Sequence, residues 1–278
     1  MLKARVWTAI VLLTLFGPIL ILLPALHLYI SLIGILSIGA WEWGRLLWPS
    51  NKYLPIAYAL LVGISLAGLL GQHQGIILDL DTVMMNILFQ YPIYAGVALW
   101  LVVVPVILKK SLNFSLLKFS NLLSVLGFLI FISAFCSALV LRDQGRWLFL
   151  AVIGIVWCAD IGAYFAGKKF GKNKLAINIS PGKSWEGAFG GGLVVCLFIL
   201  GVYLIANQPE LNLTLVLLIG LFLSVMSVVG DLFESLMKRL AKVKDSSALL
   251  PGHGGVLDRI DAILPVLPLA ALLFKVIS

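Results

Sequence analysis

NLTLVLLIGLFLSVMSVVG, residues 212–230, runs without a charge into DLFESLMKRLAKVKDSSALLPGHGGVLDRID, residues 231–261. A helix that crosses a bilayer needs about 20 mostly apolar residues, so the first stretch predicts a membrane span. The second is polar ground at one end of it. Asp231, Glu234, Lys238, Arg239, Lys242, Lys244, Asp245, His253, Asp258, Arg259 and Asp261 all fall within it. In so apolar a chain, charge is concentrated where something charged must be held.

Outward from this junction the composition is consistent. Of 278 residues 62% are apolar and 12% charged, against roughly 45–50% and about 25% in soluble domains. The chain reads as an all-α integral membrane protein with about nine transmembrane helices, at 6–23, 25–41, 54–71, 91–108, 121–141, 147–166, 187–206, 212–230 and 262–277. The first span continues into the second with no small-residue cleavage region, so it is expected to stay as an anchor. Residues 1–110 form an N-terminal transmembrane scaffold and 111–278 a catalytic region. Cys136, Cys158 and Cys196 lie in apolar segments without metal-ligand spacing and read as buried small hydrophobes.

Orientation follows from the basic residues. With the N-terminus in the cytoplasm and nine spans, seventeen of the twenty Lys and Arg fall on the cytoplasmic side and only Arg142, Arg146 and Lys275 on the other. The net charge of +8 thus belongs to a membrane face, where each Lys or Arg near anionic lipid is worth about 1 kcal/mol. No nucleic-acid partner is required to explain it.

Two cytoplasmic stretches hold candidate site residues. In 160–187, Asp160 lies inside the sixth span, within two turns of its cytoplasmic end by these boundaries, and should face a polar cavity, a cation or a nearby lysine. Ser180-Pro181-Gly182-Lys183-Ser184 reads as an exposed turn entering the seventh helix, where amides and Lys183 could hold phosphate. The glycine spacing is not that of a P-loop and no strand precedes it. Gly187 and Gly191 instead form a small-xxx-small step for close helix packing.

In 231–261, Asp231, Glu234 and Lys238 share a helix face at i, i+3 and i+7. Asp258 and Asp261, three apart, share another at the entrance to the last span. Four carboxylates arriving from two helix ends repel unless basic side chains or a hard divalent cation, above all Mg²⁺, intervene. His253, in a glycine-rich turn, could be a general acid, a phosphate donor or a turn residue, and no second His stands near it for zinc.

Ser235-Leu-Met-Lys238-Arg239, then Lys244-Asp245, Ser247, and Leu250-Pro-Gly-His253-Gly-Gly-Val-Leu-Asp258-Arg259-Ile-Asp261 resemble the signature of phosphatidate cytidylyltransferases, the CDP-diacylglycerol synthases. The 160–187 stretch resembles a second region of that family, and size and span number agree. One departure is Gly182, where many members carry a second lysine. The resemblance implies the reaction of CTP with phosphatidate to give CDP-diacylglycerol and pyrophosphate, Mg²⁺ dependence, a homodimer and a place in a bacterial inner membrane with the active site cytoplasmic. It implies Asp231 and Asp258 as the metal-binding pair, and a monovalent cation such as K⁺ beside the Mg²⁺.

The residues fit that chemistry independently. A lipid phosphate is anionic near neutral pH, so the site must position it and neutralise charge for in-line attack. Lys238, Arg239, Lys244 and Arg259 are candidate phosphate donors, with His253 in the same loop, and Lys183, Ser184 and Asp245 candidate substrate contacts. Asp160, Glu234 and Asp261 are candidates to complete a cation shell. A lipid phosphate at headgroup depth and a nucleotide from water together predict a lateral opening between helices. A transporter would be expected to show midplane charge and two repeated halves, neither of which is visible, and a CDP-alcohol phosphotransferase a denser aspartate array.

Overall fold

The structure, a computed structural model, describes residues 22, 24–78, 80–113, 118–206, 212–252 and 254–277. In chain order the elements are α1 Ala25–Leu47, α2 Tyr53–His73, α3 Thr82–Ala98, a π-helical turn Leu99–Val103, α4 Val104–Lys110 and a 3₁₀ turn Ser111–Asn113. There follow α5 Ser120–Gln144, α6 Arg146–Phe170, β1 Lys174–Ala176, β2 Ser180–Ser184, α7 Trp185–Ala206, α8 Leu213–Leu240, α9 Leu257–Ile260 and α10 Ile263–Ile277. Among the described residues, seven helical stretches, with Val83–Asn113 as one, are long and apolar enough to cross a membrane. Large apolar side chains such as Leu60, Ile64, Phe189, Leu193 and Leu197 point outward, as they do where the solvent is lipid. The protein is an all-α, multi-pass integral membrane protein.

Of the nine predicted spans, 6–23 lies outside the described residues. The last, 262–277, is the 15-residue α10, about 22 Å long and short of a full crossing of roughly 30 Å. The other seven correspond to helices, several of them longer than predicted. Hydropathy stops at the first charge, whereas the hydrogen-bond ladder continues to a cap. In α8, Asn212 Oδ1 accepts from Leu215 N at 3.2 Å and the helix runs 28 residues, about 42 Å. Its last turns therefore extend beyond one bilayer thickness and carry Asp231, Glu234 and Lys238. Likewise α6 ends at Phe170, so Asp160 sits about 15 Å from the helix end, further from it than predicted.

The predicted turn after α6 is in part a two-stranded antiparallel hairpin, pairing Lys174 with Ser184 and Ala176 with Ser180. Asn173 fastens its base, donating from N and Nδ2 to Glu186 and accepting Trp185 N at 2.9 Å. Within the long third stretch, the π-helical turn precedes Pro105, whose ring has no N–H to give and crowds the carbonyl four residues back.

Helix α5 is the axis of the bundle and packs against α1, α2, α3, α6 and α10. Phe131, Phe135, Leu123 and Leu139 on it are fully buried. Next to it, α6 and α7 approach closely: a Cβ on Gly162 would lie 2.8 Å from the Gly190 carbonyl, and one on Gly187 3.0 Å from that of Ala163. The small-residue step at Gly187 and Gly191 thus packs as predicted. Of the cysteines Cys136 is buried, but Cys158 and Cys196 are only partly covered, because α6 and α7 turn one face away from the bundle.

Alternation of the helices sends the α1–α2 turn, the end of α4, the start of α5, the hairpin and the described residues between α8 and α9 to one end. At the opposite end Asp143 joins three helices, accepting Tyr29 Oη at 2.6 Å and facing His73 Nε2 at 2.7 Å.

Candidate active site

Carboxylates and cations from α6, β2, α8 and α9 gather at the end bearing the hairpin. Lys183 Nζ, on β2, lies 2.7 Å from Asp231 Oδ2 on α8 and donates to the Val228 carbonyl at 3.5 Å. Ser235 Oγ, one turn on, donates to Asp231 Oδ1 at 3.2 Å. Asp160 on α6 is exposed and has Asp231, Lys183 and Arg259 as charged neighbours. Its exposure between such neighbours, in a span, fits a polar cleft at this depth.

A second group adjoins the first. Lys238 Nζ bridges Glu234 Oε2 and Asp258 Oδ1, each at 2.5 Å. All three side chains are nearly covered. Neither oxygen of Glu234 has a well-aligned hydrogen-bond donor. Buried Asp261, whose Oδ1 accepts Ala262 N at 2.8 Å, faces Asp231, Lys183 and Lys238 and neighbours Glu234. Through Asp261, Glu234 and Lys238 the two groups form one charged cluster. Glu234 and Asp261 also border a small internal cavity with Trp43, Trp100 and Phe233.

Asp258 is the most firmly held acid of this cluster. Its Oδ2 accepts Gly255 N at 2.7 Å, Ser246 Oγ at 2.9 Å and Ser246 N at 3.1 Å. Burial works against its charge, but the Lys238 ammonium and the Gly255 amide hold the carboxyl below the ordinary carboxylate range.

The other predicted site residues differ in surroundings. Lys238, read as a phosphate donor, is engaged by two carboxylates, because i,i+4 spacing places it on Glu234. Ser184, read as a substrate contact, is buried and accepts Gly187 N at 3.1 Å, which is the work of a helix cap. Arg239 reaches back to the hairpin, its Nε donating to the Ile179 carbonyl at 3.2 Å. Lys244, Asp245 and Arg259 are exposed, and His253 lies outside the described residues. Gly182 borders open space, with nothing within 4 Å of a Cβ built there.

Among the described residues no three His, Cys, Asp or Glu side chains converge tightly enough to hold a metal by themselves. The donor set still fits Mg²⁺, a hard cation usually bound through one or two carboxylates together with substrate phosphates. All the acids offer oxygen, and the Glu234 oxygens are poorly satisfied.

The residue missed in the sequence is Glu42, on α1. It is fully buried, accepts hydrogen bonds from Ser247, Val256 and Leu257, and has Ser246 Oγ, which Asp258 also faces, 3.0 Å from its Oε2. A lone acid at the very end of an apolar span was the available signal.

A model of the cytidylyltransferase family matches residues 3–277. The chain is 38% identical to a phosphatidate cytidylyltransferase of Pseudomonas aeruginosa across 98% of this chain and 97% of that one. It is 34% identical to one of Haemophilus influenzae across 96% of each, and 46% identical to one of Bacillus subtilis over 132 residues, 48% of each. With a match over nearly its whole length and a cluster built from the residues that carry the resemblance, the chain belongs to the cytidylyltransferase family.

Proposed function

We propose that this protein is a phosphatidate cytidylyltransferase, transferring CMP from CTP to phosphatidate to give CDP-diacylglycerol and pyrophosphate. The observation that carries the reading is the meeting of Asp160, Lys183, Asp231, Lys238 and Asp258 at one end of a membrane bundle. It is supported by relatives aligned over nearly the whole chain, which are phosphatidate cytidylyltransferases.

An oxygen of the lipid phosphate attacks the α-phosphorus of CTP, the bond from that phosphorus to the bridging oxygen breaks, and pyrophosphate leaves. The nucleophile is already an anion, so positioning and charge neutralisation dominate. Asp231 and Asp258 would hold Mg²⁺, with Asp160, Glu234 and Asp261 around them and a monovalent cation such as K⁺ as a second occupant. When bound, the divalent cation supplies charge neutralisation at the α-phosphate and the leaving group. Lys183 has its ammonium at Asp231, where it can pass to a phosphate oxygen as substrate enters. The exposed Lys244 and Arg259 present cations to a triphosphate arriving from water. The exposure of Asp160 supports a lateral opening through which phosphatidate reaches the cluster from the bilayer.

The finer reading is a multi-pass protein of a bacterial inner membrane, N-terminus and site in the cytoplasm, with two copies forming a homodimer. The test uses purified full-length protein in mixed micelles with labelled CTP and phosphatidate. A CDP-lipid is expected only with Mg²⁺, and its yield should fall at least a hundredfold in Asp231→Asn and Asp258→Asn. Undiminished product in either variant contradicts the assignment.

A further inference from the structure

Glu42 lies 204 residues before Ser246 and belongs to a helix that contributes no other acid and no cation to the cluster. Its two oxygens are nonetheless fully engaged by the catalytic loop. Oε1 accepts Ser247 Oγ at 2.5 Å and Val256 N at 3.0 Å, and Oε2 accepts Leu257 N at 2.6 Å. Ser246 Oγ lies 3.0 Å from Oε2 and 2.9 Å from Asp258 Oδ2. A single hydroxyl thus stands between the buried acid of α1 and an acid of the cluster. Gly255 completes the junction, since a Cβ there would press on both Ser246 Oγ and Glu42 Oε1.

The consequence is a division of labour within the Asp258 carboxylate. Oδ2 is directed into the loop by Ser246 and Gly255, which leaves Oδ1 turned to Lys238 and the cluster. Ser246 can hold Oδ2 only while its own hydroxyl is placed, and Glu42 Oε2 lies against that hydroxyl at 3.0 Å. Burial of a carboxylate is costly and is offset only when its lone pairs are met by good donors; here every donor comes from the loop or α9.

We propose that Glu42 is a positioning residue for the cytidylyl transfer, acting through Ser246 to fix which oxygen of Asp258 faces the cation and substrate. This rests on the assignment of Asp258 to the metal-binding pair.

Ser246→Ala separates positioning from simple fastening, because it cuts the bridge to Asp258 and leaves Glu42 bonded to Ser247, Val256 and Leu257. Ser247→Ala removes a bond of Glu42 but none of Asp258. The full chain in phosphatidate micelles is titrated with Mg²⁺ at saturating CTP, alongside thermal unfolding. Ser246→Ala and Glu42→Gln are expected to lower kcat about tenfold and to raise the half-activating Mg²⁺ concentration severalfold. Ser247→Ala should stay within twofold of the parent in both, whatever its Tm. If Glu42→Gln does not fold, Ser246→Ala decides. Parent-like kcat and Mg²⁺ requirement in Ser246→Ala, or equal changes in both serine variants that track Tm, overturn the proposal. Asp258→Asn separates the two levels: if it is inactive while Ser246→Ala is normal, positioning alone fails; if it is as active as the parent, the site assignment fails with it.

Discussion

At the scale of single residues, Lys238 decides whether the acids of the cluster can coexist. Its ammonium touches Glu234 and Asp258, and the three side chains are 12%, 4% and 9% exposed. Removing one partner of a buried ionic group leaves an uncompensated charge, which costs about 3–5 kcal/mol. Lys238→Met should therefore lower the unfolding temperature sharply in detergent, and adding Glu234→Gln should restore part of the loss. Equal Tm for the single variant and the parent would mean that the bridge contributes nothing. The sequence revealed that Lys238 shares a face with Asp231 and Glu234, because helical spacing determines that. It did not reveal that the ammonium would be enclosed, since enclosure depends on α9 arriving from the far side of a loop.

Among the elements, the α6–α7 pair sets where Lys183 meets Asp231. β2 leads directly into α7, and α7 is seated on α6 through glycines with backbone at van der Waals distance. A Cβ on Gly162 would find the Gly190 carbonyl and Val194 Cγ2 at 2.8 Å and Gly191 Cα at 2.9 Å. Backbone cannot rotate away as a side chain can, so Gly162→Ala should cost about 1–3 kcal/mol and weaken cytidylyl transfer by moving β2. Gly182→Lys meets open space and should change stability by less than about 0.5 kcal/mol. Thermal unfolding of the two variants tests the contrast, and comparable losses would place the constraint elsewhere. The small-residue step was legible in the sequence because spacing alone displays it. The hairpin was not: Lys174–Ser184 lacks the alternation of a strand and is held by Asn173 and Glu186, a contact between residues that pattern reading treats separately.

For the whole molecule, hydropathy sufficed to indicate a bundle of apolar helices, because length and absence of charge are local properties. The role of Glu42 was hidden, since a carboxylate buried in one span gives no indication of which distant loop will supply its donors. Sidedness can be argued from both sources. The contacts of Glu42 with Leu257 and of Lys183 with Asp231 unite the ends of α1, β2, α8 and α9, and the alternation of helices brings Lys52, Lys110 and Lys172 to that same end. Arg142 and Arg146 fall at the other end, beside the Tyr29–Asp143–His73 junction. Positive charge is retained in the cytoplasm, so the end with the cluster should face it. In a chain with its three cysteines replaced by alanine, single cysteines at exposed Lys52, Lys172 and Gln144 report the two sides. A membrane-impermeant maleimide should label Gln144→Cys in intact spheroplasts, and Lys52→Cys and Lys172→Cys only after permeabilisation. Labelling of Lys172→Cys from outside would place the cluster on the face away from cytoplasmic CTP, where the proposed reaction has no nucleotide to use.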